Sequence, residues 1–434
     1  MEKLKKKIRD KSAKIAIVGL GYVGLPLSIA FCEAGFCVIG IDIDRKRIGS
    51  LKKGESYIED VDSKRIKKLI KDGSFRVFDN YKTIKNQDVI IICVPTPLGK
   101  TKEPDISAIL SSVQSISENL GRNQLIILES TTYPGTTRDE ILPLLETSGL
   151  NLDKDFYLAF SSERVDPGNK RFSLTAIPKV VAGVSKKSTI IAEVLYNQLF
   201  KKAIKASSVE VAEMSKLLEN TFRSVNIGLI NEIALMCNRL DIDVWEVIDV
   251  AKTKPFGFMP FYPGPGLGGH CLPTDPIYLS WKAKMAGFEA RLIGLAQQIN
   301  NFMPEHVVSK ISDALNNKGK SIKLSKILII GLSYKKDVGD TRESPALAIF
   351  SLLKNKGANV SYYDPHVKSI KIEARVYKSI KLTKNNLHNK DCVVVVTAHS
   401  DIDYGFIVKN SKLIIDTRNA LKDIKDKKEK IVKL

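Results

Sequence analysis

The sequence predicts an α/β protein: two doubly wound parallel-sheet domains joined by a helical central domain with a long spine helix. Three observations predict it. Strand-like and helix-like runs alternate at both ends of the chain, the pattern of the first end recurs at the second, and the stretch between them reads as helix. A length of 434 residues leaves room for several domains, each burying its own core, and the boundaries are expected at 1–206, 207–304 and 305–434.

The first domain opens with "KIAIV" (14–18), a strand that runs into a glycine turn, then an apolar helix to about Gly35 and a second strand, "CVIGID", ending at Asp42. This is one βαβ unit. Residues 15–32 are uncharged and follow a basic start, so hydropathy alone offers a leader or a membrane span. Gly19, Gly21 and Gly24, at G-x-G-x-x-G spacing, explain the run instead as a buried strand, turn and helix of Rossmann type. Further strands are expected at 88–97, 124–132 and 156–163. In the middle, 208–240 contains no proline, and Leu217, Leu218, Phe222, Val225, Leu229 and Ile233 recur at helical spacing. A helix that long needs a partner element, as a spine or a dimer interface.

The last domain repeats the first: a strand at 326–334, a helix at 345–356, a strand ending near Asp364, then "DCVVVVTAH" (391–399) and "KLIIDTRNA" (412–420) matching the strands at 88–97 and 124–132. Its turn keeps Gly331 but has Ser333 and Lys336 where the other glycines would stand. Without that close backbone approach it is expected to hold something other than a pyrophosphate in the same pose.

A formal net charge of +20 raises nucleic acid or an anionic membrane as partners. The lysines are spread along the chain with few aromatics between them, so neither is expected, and small anionic ligands fit better. The dense cluster "KLKKKIRDKSAK" (3–14) reads as a solvated tail. Six cysteines (32, 37, 93, 237, 271 and 392) form no C-x-x-C pair and read as reduced thiols of a cytoplasmic protein.

The glycine turn and Asp42 together point to NAD. The turn lets backbone amides reach a pyrophosphate at a helix N-terminus, and a carboxylate at the end of the second strand accepts ribose hydroxyls and repels a 2′-phosphate. Arg45, Lys46 and Arg47 argue the other way, because a nearby arginine can take that phosphate; their alternative reading is a solvated helix start capped by Asp44. Lys216 and Asn220, at i and i+4 opposite the leucine stripe, read by pattern alone as solvated. Cys271 lies in "FYPGPGLGGHCLPTDP" (261–276), where three readings compete. A buried apolar thiol belongs in a strand or helix, and zinc wants more ligands than His270 beside it. A nucleophile suits an approachable loop whose glycines free backbone amides for an oxyanion. Asp275 and Pro276 read as the N-cap and first residue of the helix at 277–287, whose N-terminus favours a thiolate. A nicotinamide site with a lone reactive cysteine implies oxidation to an acid through a thiohemiacetal and a thioester.

These stretches, with "GLGYVGLP" (19–26), "VPTP" (94–97), "ESTTYPGTT" (129–137), "SSERVDPG" (161–168), "AEMSKLLENTFRSVNIGLINE" (212–232), "GPGLGGHCLPTDP" (264–276) and "GLSYKKDVGDTRESPA" (331–346), resemble the UDP-glucose/GDP-mannose dehydrogenase family over nearly the whole chain. The resemblance implies a nucleotide-sugar 6-dehydrogenase that reduces two NAD per turnover; the long helix points to a homodimer or higher homo-oligomer, and no metal is expected. It implies that Cys271 captures the C6 aldehyde, that Lys216 and Asn220 stabilise oxyanions, reversing their reading as solvated, and that Thr131, Glu163 and Asp275 position water and move protons. Cofactor contacts are implied for Gly19, Gly21, Tyr22, Val23, Gly24, Asp42, Arg47, Pro95, Thr96, Thr131 and Lys335. Substrate contacts are implied for Glu163, Arg164, Lys216, Asn220, Tyr262, Gly264, Gly268, His270 and Arg342. One departure is that Pro167, with Asp166 beside it, stands where UDP-glucose members carry a second glutamate. His270 and Thr274 resemble the N-acetylhexosamine branch, and Pro273 with "DPIYLSWKA" (275–283) resembles UDP-N-acetylglucosamine enzymes more than UDP-N-acetylmannosamine ones; the uronic acid would serve surface polysaccharide or glycan synthesis. UDP-N-acetylgalactosamine and UDP-glucose are further substrate alternatives. A two-electron β-hydroxyacid-type dehydrogenase and a non-catalytic nucleotide-sugar sensor remain as alternatives of other classes.

Overall fold

The computed structural model describes the chain except residues 59, 60, 165–172, 425 and 427. It divides into two compact units, Met1–Glu219 with Ile277–Phe288, and Asn220–Pro276 with Glu289–Leu434.

The first unit is built on β1 (Lys14–Val18), β2 (Cys37–Ile41), β3 (Phe75–Phe78), β4 (Val89–Ile92), β5 (Gln124–Leu128), β6 (Phe156–Ser161), β7 (Lys179–Gly183) and β8 (Ala203–Lys205), in the order β3-β2-β1-β4-β5-β6-β7-β8. β4, "VIII", and β5, "QLIIL", are buried at every position because a parallel strand is covered on both faces. Alternate residues feed opposite cores: Ile15 and Ile17 pack in one cluster, Ala16 and Val18 in the other. β7 breaks the parallel pattern by running against β6, with Ser161 opposite Val181. The basic N-terminus is not a solvated tail. It forms the helix Glu2–Arg9, and Leu4 and Ile8, an i, i+4 apolar pair hidden among lysines, are buried in the first core. The apolar run that mimics a membrane span is β1, the turn and the helix Gly24–Glu33. No helix among the described residues is long and apolar enough to cross a membrane.

In the second unit, β9 (Lys326–Ile330), β10 (Asn359–Tyr363), β13 (Cys392–Val395), β14 (Ile414–Asp416) and β15 (Ile431–Lys433) form a parallel sheet in the order β10-β9-β13-β14-β15, while β11 (Ser369–Ile372) and β12 (Arg375–Lys378) make a separate hairpin. The order repeats β2-β1-β4-β5-β6 of the first sheet. The repeat extends to its acidic residue: Leu332 and Ser333 amides donate to Asp364, as the Leu20 amide donates to Asp42. The copies then diverge, for Asp364 also holds the buried His399 ring at 3.1 Å. Burial pushes the Asp364 carboxyl up, but His399 and the two amides outweigh it and hold it at about 2.

Candidate active site

The dinucleotide turn follows β1. Gly19 has φ +89°, and a Cβ there would lie 2.6 Å from the Cys93 carbonyl oxygen; a Cβ on Gly24 would lie 1.8 Å from the Gly19 oxygen. Both glycines are needed by the protein itself. A Cβ on Gly21 would meet nothing within 4 Å, so its space is left for a ligand approaching the backbone. The helix Gly24–Glu33 points its N-terminus at this turn, with Tyr22 exposed and Val23 half-buried just before it. Asp42 is buried and accepts from the Leu20 and Asp44 amides at 2.9 Å each. Asp44 caps the next helix as the sequence implies, and Arg47 turns back onto Asp42 at 3.3 Å. That pair engages the arginine with the carboxylate that distinguishes NAD from NADP. Pro95 and Thr96 follow β4 at the same end of the sheet, Pro95 exposed and Thr96 buried. These residues fit a dinucleotide: the open backbone at Gly21 could take a pyrophosphate and the Asp42 carboxylate a ribose.

Thr131, half-buried, follows β5, and Glu163 and Arg164 follow β6. Arg164 is spoken for by Glu219, Nη2 to Oε1 2.5 Å, and by the Pro178 carbonyl, 2.9 Å. Glu163 Oε2 lies 3.2 Å from Lys179 Nζ, and Lys179 lies 3.0 Å from Glu129 Oε1. Burial pulls the Lys179 ammonium toward neutrality, and the two carboxylates more than reverse this, so its pKa is raised. Sequence reading missed Glu129 and Lys179; the only signal was a lysine opening the apolar strand "KVVAG". Asp166 and Pro167 lie outside the described residues.

The helix Val209–Arg239 buries a row of polar side chains beside Ala212 and Leu217 and exposes part of its apolar stripe. Glu213, Lys216 (8% exposed), Asn220 (3%), Ser224 and Asn231 are buried, while Met214, Leu218 (57%), Phe222, Leu229 (54%) and Met236 are exposed. The solvated reading of Lys216 and Asn220 is therefore wrong. Amphipathicity fixes two faces but not which is covered. Glu213 anchors the helix by accepting from the Gly135 and Thr137 amides and the Thr137 hydroxyl, and burial still raises its carboxyl to about 7. Among the described residues no carboxylate pairs with Lys216, a buried cation suited to an anionic ligand atom.

The cysteine loop is held by a buried amide relay. Gly264 N–H donates to Asn231 Oδ1 (3.0 Å), Asn231 Nδ2 donates to Asn300 Oδ1 (2.8 Å), and Asn300 Nδ2 donates to the Ser224 carbonyl (3.1 Å). A Cβ on Gly264 would strike Arg418 Nη1 at 2.4 Å, and one on Gly268 would strike Tyr334 Cβ at 2.6 Å, so the loop lies backbone-close to its neighbours. The Gly269 amide donates to the Arg342 carbonyl, and the Arg342 side chain turns to Asp340. Tyr262 stacks on Trp245, ring centroids 6.2 Å apart. Burial, then the Arg342 charge, lowers the His270 pKa, which keeps the ring neutral at pH 7.

The helix after the loop starts earlier than expected. It spans Cys271–Met285 with Pro276 inside it, so Asp275 is not its cap. Pro273 falls in the first turn, where no helical bond is lost, whereas Pro276 forgoes a bond to the Leu272 carbonyl. Cys271 thereby becomes the first helical residue and is exposed, with its sulfur at the positive end of the helix dipole. Asp275, freed from capping and buried, accepts from Asn220 Nδ2 at 2.5 Å, and Arg223 donates to Asn220 Oδ1. The second unit thus brings together Cys271, Asn220, Asp275, His270 and Arg342. The first carries the dinucleotide turn, Thr131, Glu163 and Lys216. Lys335 lies on the turn after β9.

Models of the UDP-glucose/GDP-mannose dehydrogenase family match residues 13–204 (NAD binding domain), 210–302 (central domain) and 328–423 (UDP binding domain). A UDP-N-acetyl-D-mannosamine dehydrogenase of Pyrococcus horikoshii is 36% identical over 94% of this chain and 96% of its own. A UDP-N-acetyl-D-glucosamine 6-dehydrogenase of Pseudomonas aeruginosa is 35% identical over 90% and 92%. A solved UDP-D-ManNAc dehydrogenase from Pyrococcus horikoshii superposes with a TM-score of 0.86 at 35% identity, covering 94% of this chain and 96% of the other.

Proposed function

The chain belongs to the UDP-glucose/GDP-mannose dehydrogenase family, and from that premise we propose that it oxidises C6 of a UDP-N-acetylhexosamine to the carboxylate, with UDP-N-acetylglucosamine as substrate. The observation that carries the reading is Cys271 at a helix N-terminus in a glycine loop, beside the bonded pair Asn220 and Asp275. NAD supplies the hydride acceptor. In this reading the Cys271 thiolate adds to the C6 aldehyde carbon to give a thiohemiacetal. Loss of hydride from C6 leaves a thioester, and water cleaves it to the acid and the free thiol. Lys216 and Asn220 stabilise oxygen as it becomes negative, Thr131 and Glu163 move protons, and Asp275 fixes Asn220. UDP-N-acetylglucosamine is favoured by Pro273 and residues 275–283. The mannosamine epimer is the second reading, because the 36% identical relative is named for it. The exposed stripe Leu218, Phe222, Leu229 and Met236 supports a homodimer in which a second copy covers it. All six cysteines are free, which supports a reducing, cytoplasmic setting.

With NAD and a panel of UDP-sugars, UDP-N-acetylglucosamine should give the highest kcat/KM, and Cys271→Ala should form no acid while binding NADH as wild type does. A higher kcat/KM with UDP-N-acetylmannosamine would replace the glucosamine reading. Acid formation by Cys271→Ala would overturn the covalent route.

A further inference from the structure

Lys179 opens β7 and is only 2% exposed, at the edge of the sheet where β5 and β6 end. The reversed direction of β7 puts it there. With Ser161 opposite Val181, the register carried two residues further sets Lys179 across from Glu163. A parallel strand would have presented its last residue at this edge instead. The ammonium lies 3.0 Å from Glu129 Oε1 and 3.2 Å from Glu163 Oε2, and the Tyr196 hydroxyl donates to the same Glu129 oxygen. The rings of Tyr196 and Phe200 flank the charge at 5.5 and 5.3 Å. Glu129 and Tyr196 are fully buried, whereas Glu163 keeps 9% exposure, so it is the carboxylate of the pair that can meet water. As a mere strand tie the cluster would be costly: apolar side chains would pack as well without desolvating three charges. Two carboxylates around one ammonium leave the trio with a net negative charge, Glu163 included. Without the ammonium, two buried carboxylates in one site cannot both ionise.

We propose that Lys179, held in place by Glu129 and Tyr196, is a positioning residue that orients Glu163 and keeps it ionised to accept the proton of the hydrolytic water. The proposal rests on the reading of Glu163 given above. In that step the water oxygen bonds to the C6 carbonyl carbon, its proton passes to Glu163, and collapse of the oxyanion breaks the C–S bond, returning the electron pair to Cys271 sulfur. No oxidant is consumed.

The test compares full-length wild type, Lys179→Met and Lys179→Arg in rapid-mixing and steady-state assays. Lys179→Met should lower kcat at least about 30-fold with KM for NAD and UDP-sugar within about threefold. It should keep a first-turnover burst of about two NADH per subunit, and intact-protein mass spectrometry should find the sugar acyl group on Cys271. The acid limb of kcat against pH should move to higher pH, and Lys179→Arg should recover most of kcat. An unchanged kcat and pH profile in Lys179→Met, or a burst lost together with kcat, would overturn the proposal. Should Lys179→Met fail to fold, Glu129→Gln is expected to show the same retained burst with slow release, and wild-type turnover in it would equally overturn the proposal. Wild type giving one NADH per sugar would instead overturn the four-electron reading itself, so the two failures are told apart.

Discussion

Replacing one glycine of the dinucleotide turn separates what the fold needs from what the cofactor needs. In Gly21→Ala the new Cβ meets no protein atom within 4 Å, and the residue's φ lies outside the left-handed region, so neither clash nor strain arises. Stability should change by less than about 1 kcal/mol, and the reduced freedom of the unfolded chain pushes slightly upward. In Gly24→Ala the Cβ would sit 1.8 Å from a backbone oxygen that cannot swing aside. Overpacking against backbone should cost on the order of 3 kcal/mol, a melting point lower by roughly 5–10 °C. For NAD the order reverses. Gly21→Ala holds the pyrophosphate off the backbone amides and forfeits about 2–3 kcal/mol of charge-assisted hydrogen bonding, a Kd weaker by about 30- to 150-fold. Thermal melts without cofactor and a fluorescence titration with NADH measure both quantities. Wild-type Kd in Gly21→Ala, or a melting point as low as that of Gly24→Ala, would refute the division of labour.

Two further outcomes follow from the second unit and the spine helix. Leu218→Asp with Leu229→Asp places charge on the exposed stripe while leaving the buried polar face alone, and should turn a dimer into a monomer by sedimentation equilibrium; an unchanged mass would put the interface elsewhere. The Asp364 carboxyl, held at about 2 against an ordinary 3.8, contributes about 2 kcal/mol that is present above pH 4 and lost as pH falls toward 2. Urea midpoints should fall over that window in wild type and fall less in Asp364→Asn; parallel curves would show that the His399 contact carries no such linkage.

What the sequence disclosed and what it hid follow from range. β1, β4 and β5 were legible because strands covered on both faces are continuous apolar runs, and the repeat of their order from β9 onward was visible as repeated text. The orientation of the spine helix was not legible, since Leu218, Phe222 and Leu229 of its stripe face outward while Leu217 is buried along with the lysine and asparagine. The pair Asp275 and Pro276 has the local form of a helix start, but the helix begins at Cys271, where the glycine loop delivers the chain. Lys179 was invisible as a partner of Glu163 because only the reversed strand β7 makes them neighbours. Leu4 and Ile8 were masked by the charges around them.

The most direct measurement counts NADH formed per UDP-N-acetylhexosamine consumed, with the product identified by mass. A lone thiol at a helix N-terminus, holding the aldehyde between two hydride transfers, requires two NADH and a product heavier by one oxygen and lighter by two hydrogens than the substrate. One NADH with a product lighter by two hydrogens alone would contradict it.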